Sequence, residues 1–190
     1  MKKYLSLFLI IILTLSIISC TIDENDVETS EENTDIKEDE GAVDEKEKEL
    51  KEITLYFTDK QAMNLLTEKR IIEIDESMKV DEIATLIIQE LKKGPIESNR
   101  LPTLPAEIEI LDVKVVGNIA EVNLSSKELT GGSTQEILLA SSIVKSLAQL
   151  EEINKVQFYV DGKIQESLMG HLYIGEPYTE EMINEMIDTK

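Results

Sequence analysis

Two short segments near the middle of the chain alternate apolar and polar residues and are rich in β-formers: Ile53-Thr-Leu-Tyr-Phe57 and Arg70-Ile-Ile-Glu-Ile74. Strict alternation fits a half-buried strand, so both are predicted to be strands, with Thr58 to Lys69 as a turn or irregular excursion. From Val80 the period lengthens. Val80, Ile83, Ala84, Ile87 and Leu91 share one face of a 3.6-residue repeat, which predicts a helix over 80–93. Lys92 and Lys93 suit its C-terminal end, Gly94 can take a left-handed cap, and Pro95 forbids continuation. A loop punctuated by Pro102 and Pro105 follows.

Leu111 to Val116 and Ile119 to Leu124 flank Gly117-Asn118, a two-residue turn composition. In that register Val115 faces Ala120, Val113 faces Val122 and Leu111 faces Leu124. Lys114 then opposes Glu121, and Asp112 opposes Asn123. Ser133-Thr-Gln-Glu136 matches a capping box opening a second helix to about Leu150, whose wide apolar arc predicts burial on a sheet. Val156, Phe158 and Val160 alternate into the turn signal Asp161-Gly162. Lys163-Ile164 should begin a return strand, and residues 170–174 a last extended piece. The whole predicts an α+β fold: a two-layer sandwich, a mixed sheet with two helices on one face. It spans residues 53–175. After Pro177, Thr179 can cap a C-terminal amphipathic helix within 176–190, with Met182, Ile183, Met186 and Ile187 on one face. Docking onto its own domain is favoured over partner binding.

The first twenty residues follow another pattern. Lys2 and Lys3 precede an apolar run from Tyr4 to Ile18, too short to span a bilayer but suited to a signal peptide. It ends Ile17-Ile-Ser-Cys20, resembling a bacterial lipobox. Residues 1–19 are therefore expected to be a lipoprotein signal peptide. Cys20, the one Cys of the chain, is expected to be the lipidation site and the membrane anchor. Palmitate or similar acyl chains would hold the protein at the cell membrane, facing outside the cytoplasm. Residues 20–52 read as a linker. Fifteen acidic residues against four Lys between 21 and 52 leave too little apolar surface to offset ordering entropy. Asp44 to Lys51 could extend as a nascent helix.

Charge sharpens this division. The net charge is −20, which argues against nucleic acid as a partner, since phosphate recognition runs on Lys and Arg. Half of the acidity belongs to the linker, so the domain itself is ordinary in charge. One Cys and one His exclude a disulfide and a Cys-based zinc site, and no metal or cofactor is expected. Asp35 to Gly41 lacks the spacing of a calcium loop. His171 could act as a general base, but no nucleophile stands in a recognisable motif with it, so a structural hydrogen-bonding role is expected. Gly131-Gly-Ser-Thr134 could cradle an anion at a helix start but lacks the Walker lysine, and the capping box already accounts for it. No catalytic residue is assigned, and the chain is expected not to be an enzyme.

The ordered set Leu55-Tyr-Phe57, Leu91-Lys-Lys-Gly-Pro95, Leu101 to Pro105, Ala120 to Ser125, Gly131-Gly132, Val156 to Lys163 and Gly170-His-Leu172 resembles the GerMN-domain family of sporulation and spore germination lipoproteins. The resemblance covers about 53–175. Members of that family resemble ring-building-motif domains, small modules that stack in secretion-like assemblies. The resemblance therefore implies a membrane-tethered scaffold or protein-assembly module, partnered by other envelope or spore-membrane proteins. The alternative is an extracytoplasmic binding module for a small ligand or cell-wall polymer.

Overall fold

In a computed structural model of the chain, residues 48–188 are described. The expected signal peptide, the expected lipidation site Cys20 and the expected linker up to residue 47 lie outside them. The first feature is a long antiparallel ribbon of β1 (Lys48–Asp59) and β2 (Leu65–Asp75), paired without a break from Lys48↔Asp75 to Thr58↔Leu65. Two expectations are corrected here. The charged stretch from Lys48 is strand rather than linker or nascent helix, and residues 65–69 belong to β2. Cross-strand pairing explains the first. Lys48 meets Glu73 at 2.9 Å and Glu52 meets Lys69 at 2.6 Å on the solvent face, so charges that look solvating in sequence become partners across a ladder. The turn between the strands closes on Asp59, whose carboxylate accepts from Met63 N at 2.9 Å and Asn64 Nδ2 at 2.7 Å.

Helix α1 (Val80–Lys92) follows, with Gly94 at φ +79 as the left-handed residue after it. The short strand β3 (Arg100–Leu101) pairs with Thr58 and Asp59 at the far end of β1. Strands β4 (Ile110–Val116) and β5 (Ile119–Leu124) form the expected hairpin. The pairs Val115↔Ala120, Lys114↔Glu121, Val113↔Val122 and Asp112↔Asn123 are all present. At the open end a bulge intervenes: Ile110, not Leu111, opposes Leu124, and Leu111 points to solvent. The extra residue shifts the side-chain parity there.

Helix α2 (Ser133–Leu147) leads to β6 (Lys155–Val160), which runs parallel to β5. Helix α3 (Glu180–Asp188) ends the described part. The strands thus divide into an antiparallel sheet β2-β1-β3 and a mixed sheet β4-β5-β6. The expected return strand after Asp161-Gly162 reduces to one bridge, Val160↔Lys163. Both turn residues take positive φ as a tight hairpin turn requires, but the chain then leaves to cross the start of α2. Residues 170–174 likewise form one bridge, Ser167↔Tyr173, rather than a strand.

Helix α2 is the centre of the domain. It packs against β1, β6, α1 and α3, and Leu138 to Val144 are buried without interruption. Three of its buried residues, Ser141, Ser142 and Ser146, are small and polar, which admits neighbours on nearly every side. Ser142 Oγ donates to the carbonyl of Tyr56, and Gln149 Nε2 donates to Thr54 O at 2.9 Å while its Oε1 accepts from Thr54 N at 2.8 Å. These side chains satisfy β1's outer edge where no strand does. Helix α3 docks as expected: Ile183 is buried, and Lys145 reaches Glu180 at 3.2 Å and Asn184 at 2.6 Å.

Candidate functional site

Where β1 ends, three segments leave an open groove of about 570 Å³. The β1–β2 turn supplies Ala62 and Met63, the loop after β3 supplies Leu101, Pro102 and Pro105, and the start of α2 supplies Ser133 and Leu138. Its lining is mostly apolar. Met63 and Leu101 stay exposed at the rim. Two threonines in the wall already have partners. Thr58 Oγ1 donates to Leu101 O at 3.3 Å, and Thr103 Oγ1 bonds Tyr56 O at 3.2 Å and Ser142 Oγ at 2.7 Å. The groove therefore joins an apolar surface to one polar wall, the side chains of Ser133, Thr134 and Gln135 at the start of α2.

The α2 wall of the groove is held by a buried carboxylate. Glu136 is fully buried. Its Oε1 accepts from the backbone N–H of Leu168 at 2.9 Å and of Met169 at 2.8 Å, and its Oε2 from His171 N at 2.9 Å. The capping-box expectation is corrected accordingly. Gly132 is the N-cap with no side-chain cap bond, and Glu136 reaches across to another segment instead of back to its own helix. Gly131 fits this arrangement: a Cβ there would lie 2.9 Å from Met169 Sδ. His171 is itself exposed and contributes its backbone N–H to this carboxylate. Among the described residues no cluster of His, Cys, Asp or Glu could hold a metal ion.

A second buried polar group organises the opposite flank. Arg70 donates to Glu68 Oε1 from Nε at 3.1 Å and Nη2 at 2.7 Å, to Glu90 O at 2.9 Å, to Glu90 Oε2 at 3.2 Å and to the carbonyl of Gly94. It thereby takes up the orphan carbonyls at the end of α1, and its guanidinium lies 5.5 Å from the centre of the Phe57 ring. Glu68 in turn accepts from Ile96 N and Glu97 N at 3.1 and 3.0 Å, which fixes the loop leading to β3 and the groove. Burial alone would raise the Glu68 carboxyl. The N–H groups of Glu97 and Ile96 together with Arg70 outweigh it, so the group sits below the ordinary carboxylate range. A depressed value means the contribution is fully present above the unfolded value, about 4.3 for Glu, and is lost as pH falls through the folded value. Denaturant unfolding of wild type and Glu68→Gln across acidic pH should accordingly show the stability gap between them narrowing as pH drops. A pH-independent gap would contradict this assignment.

The sequence had singled out Leu101 to Pro105 and the glycines before α2 separately; the fold brings them together as two walls of one groove. The sequence did not bring out Glu68, and it read Arg70 only as a strand residue and Glu136 only as part of a capping box. A family model described as "Germane: Sporulation and spore germination" matches residues 54–166. The chain belongs to this family. No curated protein matches it. Three solved structures carry the same fold. A Clostridium perfringens protein described as a candidate lipoprotein is 28% identical, with TM-score 0.50, over 70% of this chain and 89% of that one. The first GerMN domain of the sporulation protein GerM from Bacillus subtilis gives TM-score 0.55 at 17% identity, over 69% of this chain and 98% of that one. The tandem GerMN domains of the same protein give TM-score 0.51 at 20% identity, over 68% of this chain but 45% of that one. This Germane-family chain thus spans about half of the tandem protein. Among its described residues no helix is long and apolar enough to cross a membrane.

Proposed function

We propose that this Germane-family chain is a lipoprotein, anchored through Cys20 outside the cytoplasm, whose domain is a non-enzymatic protein-assembly module in sporulation or spore germination. The observation that carries the reading is polarity along β1. At about 3.3 Å per residue, the 12 residues of β1 separate the point where the linker enters from the groove by roughly 35 Å. A tether at one end presents the groove at the other. The Clostridium perfringens neighbour, described as a candidate lipoprotein, supports the anchored placement. The apolar side of the groove, where Thr58 and Thr103 are already bonded, suits an apolar side chain of a protein, and Ser133, Thr134 and Gln135 on the α2 wall can meet its backbone. Its volume does fall within the range of small-ligand sites, which keeps a ligand-binding module as the second reading.

Full-length wild type, Cys20→Ala and Leu101→Asp are to be expressed in a sporulating host, fractionated and crosslinked. Cys20→Ala should leave the membrane fraction or persist as precursor. Leu101→Asp should remain anchored and folded but lose its crosslinked envelope partners. Unchanged size and membrane retention for Cys20→Ala would refute the anchor, and an unaltered partner set for Leu101→Asp would refute the groove as the assembly surface.

A further inference from the structure

We propose that the outer edge of β1 from Lys48 to Glu52 is a self-association surface, on which two copies of the chain pair antiparallel about Leu50. Thr54 directs both its N–H and its C=O away from β2, toward Gln149. Successive residues of a strand alternate in direction, so the N–H and C=O of Glu52, Leu50 and Lys48 lie on that same outer side. Higher up, this edge is occupied: β3 pairs with Thr58 and Asp59, Ser142 and Thr103 take the Tyr56 carbonyl, and Gln149 takes Thr54. Below Thr54, among the described residues, no strand pairs with it.

Edges of this kind are usually blunted by proline, a bulge or charged side chains, lysine above all. This one has no proline and no bulge, since the pairing to β2 is unbroken, and the charges of Lys48-Glu-Leu-Lys-Glu52 are two of each sign, which deters a foreign strand more than a matching copy. It is also self-complementary. Turned antiparallel about Leu50, Lys48 faces the partner's Glu52, Glu49 faces the partner's Lys51, and Leu50 faces the partner's Leu50. The direction of the backbone groups agrees with that register. Leu50 would form a hydrogen-bonded pair with its mate, and every outward N–H and C=O of Lys48, Leu50 and Glu52 would be satisfied. On the same face Leu50 and Ile71 are 67% and 59% exposed. They are diagonal neighbours in the ladder, since Leu50 pairs with Glu73, and pairing would set the two Leu50 side chains side by side, joining the two apolar pairs into one strip on that face. In a chain of net charge −20, a neutral edge is where two copies repel least. The ladder ends where Gln149 begins, so it closes as a dimer that continues the antiparallel sheet as β2-β1-β1-β2.

The test uses the full-length chain in intact membranes with a short bismaleimide crosslinker. Leu50→Cys is compared with Ile164→Cys, exposed on another segment, and with the parent carrying Cys20 alone. Leu50→Cys should give a crosslinked dimer well above both. In that background Glu49→Lys or Lys51→Glu should abolish the dimer, because each places like charges opposite each other, and the double exchange Glu49→Lys/Lys51→Glu should restore it. Neither residue has an ion pair within its own chain among the described salt bridges, so the rescue reads the contact between copies. Crosslinking of Leu50→Cys no stronger than that of Ile164→Cys, or a double exchange as deficient as the single ones, would overturn the proposal.

Discussion

Arg70→Met is expected to destabilise the domain by about 3–5 kcal/mol, the range seen when one partner of a buried ion pair is removed. The substitution keeps the length and most of the volume of the side chain, so the loss is one of charge and donors. Glu68 and Arg70 are only 4% and 6% exposed, and without the guanidinium the Glu68 carboxylate is held in the interior by backbone N–H groups alone. The carbonyls of Glu90 and Gly94 lose their donor as well. Arg70→Lys should recover little, because a point ammonium cannot serve a carboxylate on one side and two carbonyls on the other as the planar fork does. Adding Glu68→Gln to Arg70→Met should return part of the loss by removing the stranded charge. Denaturant unfolding of the four proteins settles the order. A loss below about 1 kcal/mol for Arg70→Met, the scale of an exposed pair, would show that water already reaches this cluster.

The same cluster shows what the sequence could and could not reveal. Strand alternation located Ile53 to Phe57 and Arg70 to Ile74, and the hairpin register was legible down to Asp112↔Asn123 because turn chemistry, apolar alternation and cross-strand charge agreed. Helix α1 was legible from its period and its Gly-Pro stop. Misreadings arose where one residue type serves opposite purposes. Lys48 to Glu52 has the composition of a solvated linker, yet becomes strand once Glu73 and Lys69 stand opposite. Glu68 and Arg70 share the buried face with Ile72 and Ile74, so polar residues at core positions disguised the start of β2. Helix α2 looked like a one-sided helix with a capping box, but elements packed on nearly all sides bury its serines and Glu136. Such assignments depend on partners 17 to 35 residues away, and no local pattern encodes them. The groove was half visible: its two motifs stood out in the sequence, while their convergence needed the β1–β3 pairing.

Glu136→Ala is expected to be the second severe change, with consequences at the groove. One buried donor left without a partner costs about 1–3 kcal/mol, and this substitution strands the N–H groups of Leu168, Met169 and His171 together. The loss should therefore reach the top of that range, unless water enters the space the side chain leaves. The conservative change separates charge from shape. In Glu136→Gln one oxygen can still accept from Leu168 and Met169, but the amide NH₂ then faces the His171 N–H, donor against donor. Hydrogen exchange should accordingly quicken at His171 alone in the Gln variant and at all three amides in the Ala variant. Both effects are local, since the strands of the β5–β6 sheet do not depend on this carboxylate. Release of residues 168–171 also frees Met169 from Gly131 and loosens the first turn of α2, which forms one wall of the groove. Partner crosslinking through the groove should then weaken in the same order, wild type above Gln above Ala, in proteins that remain folded. Equal protection of the three amides in wild type and Glu136→Ala would mean that the segment is held by its buried leucines, and that the carboxylate is not the clamp.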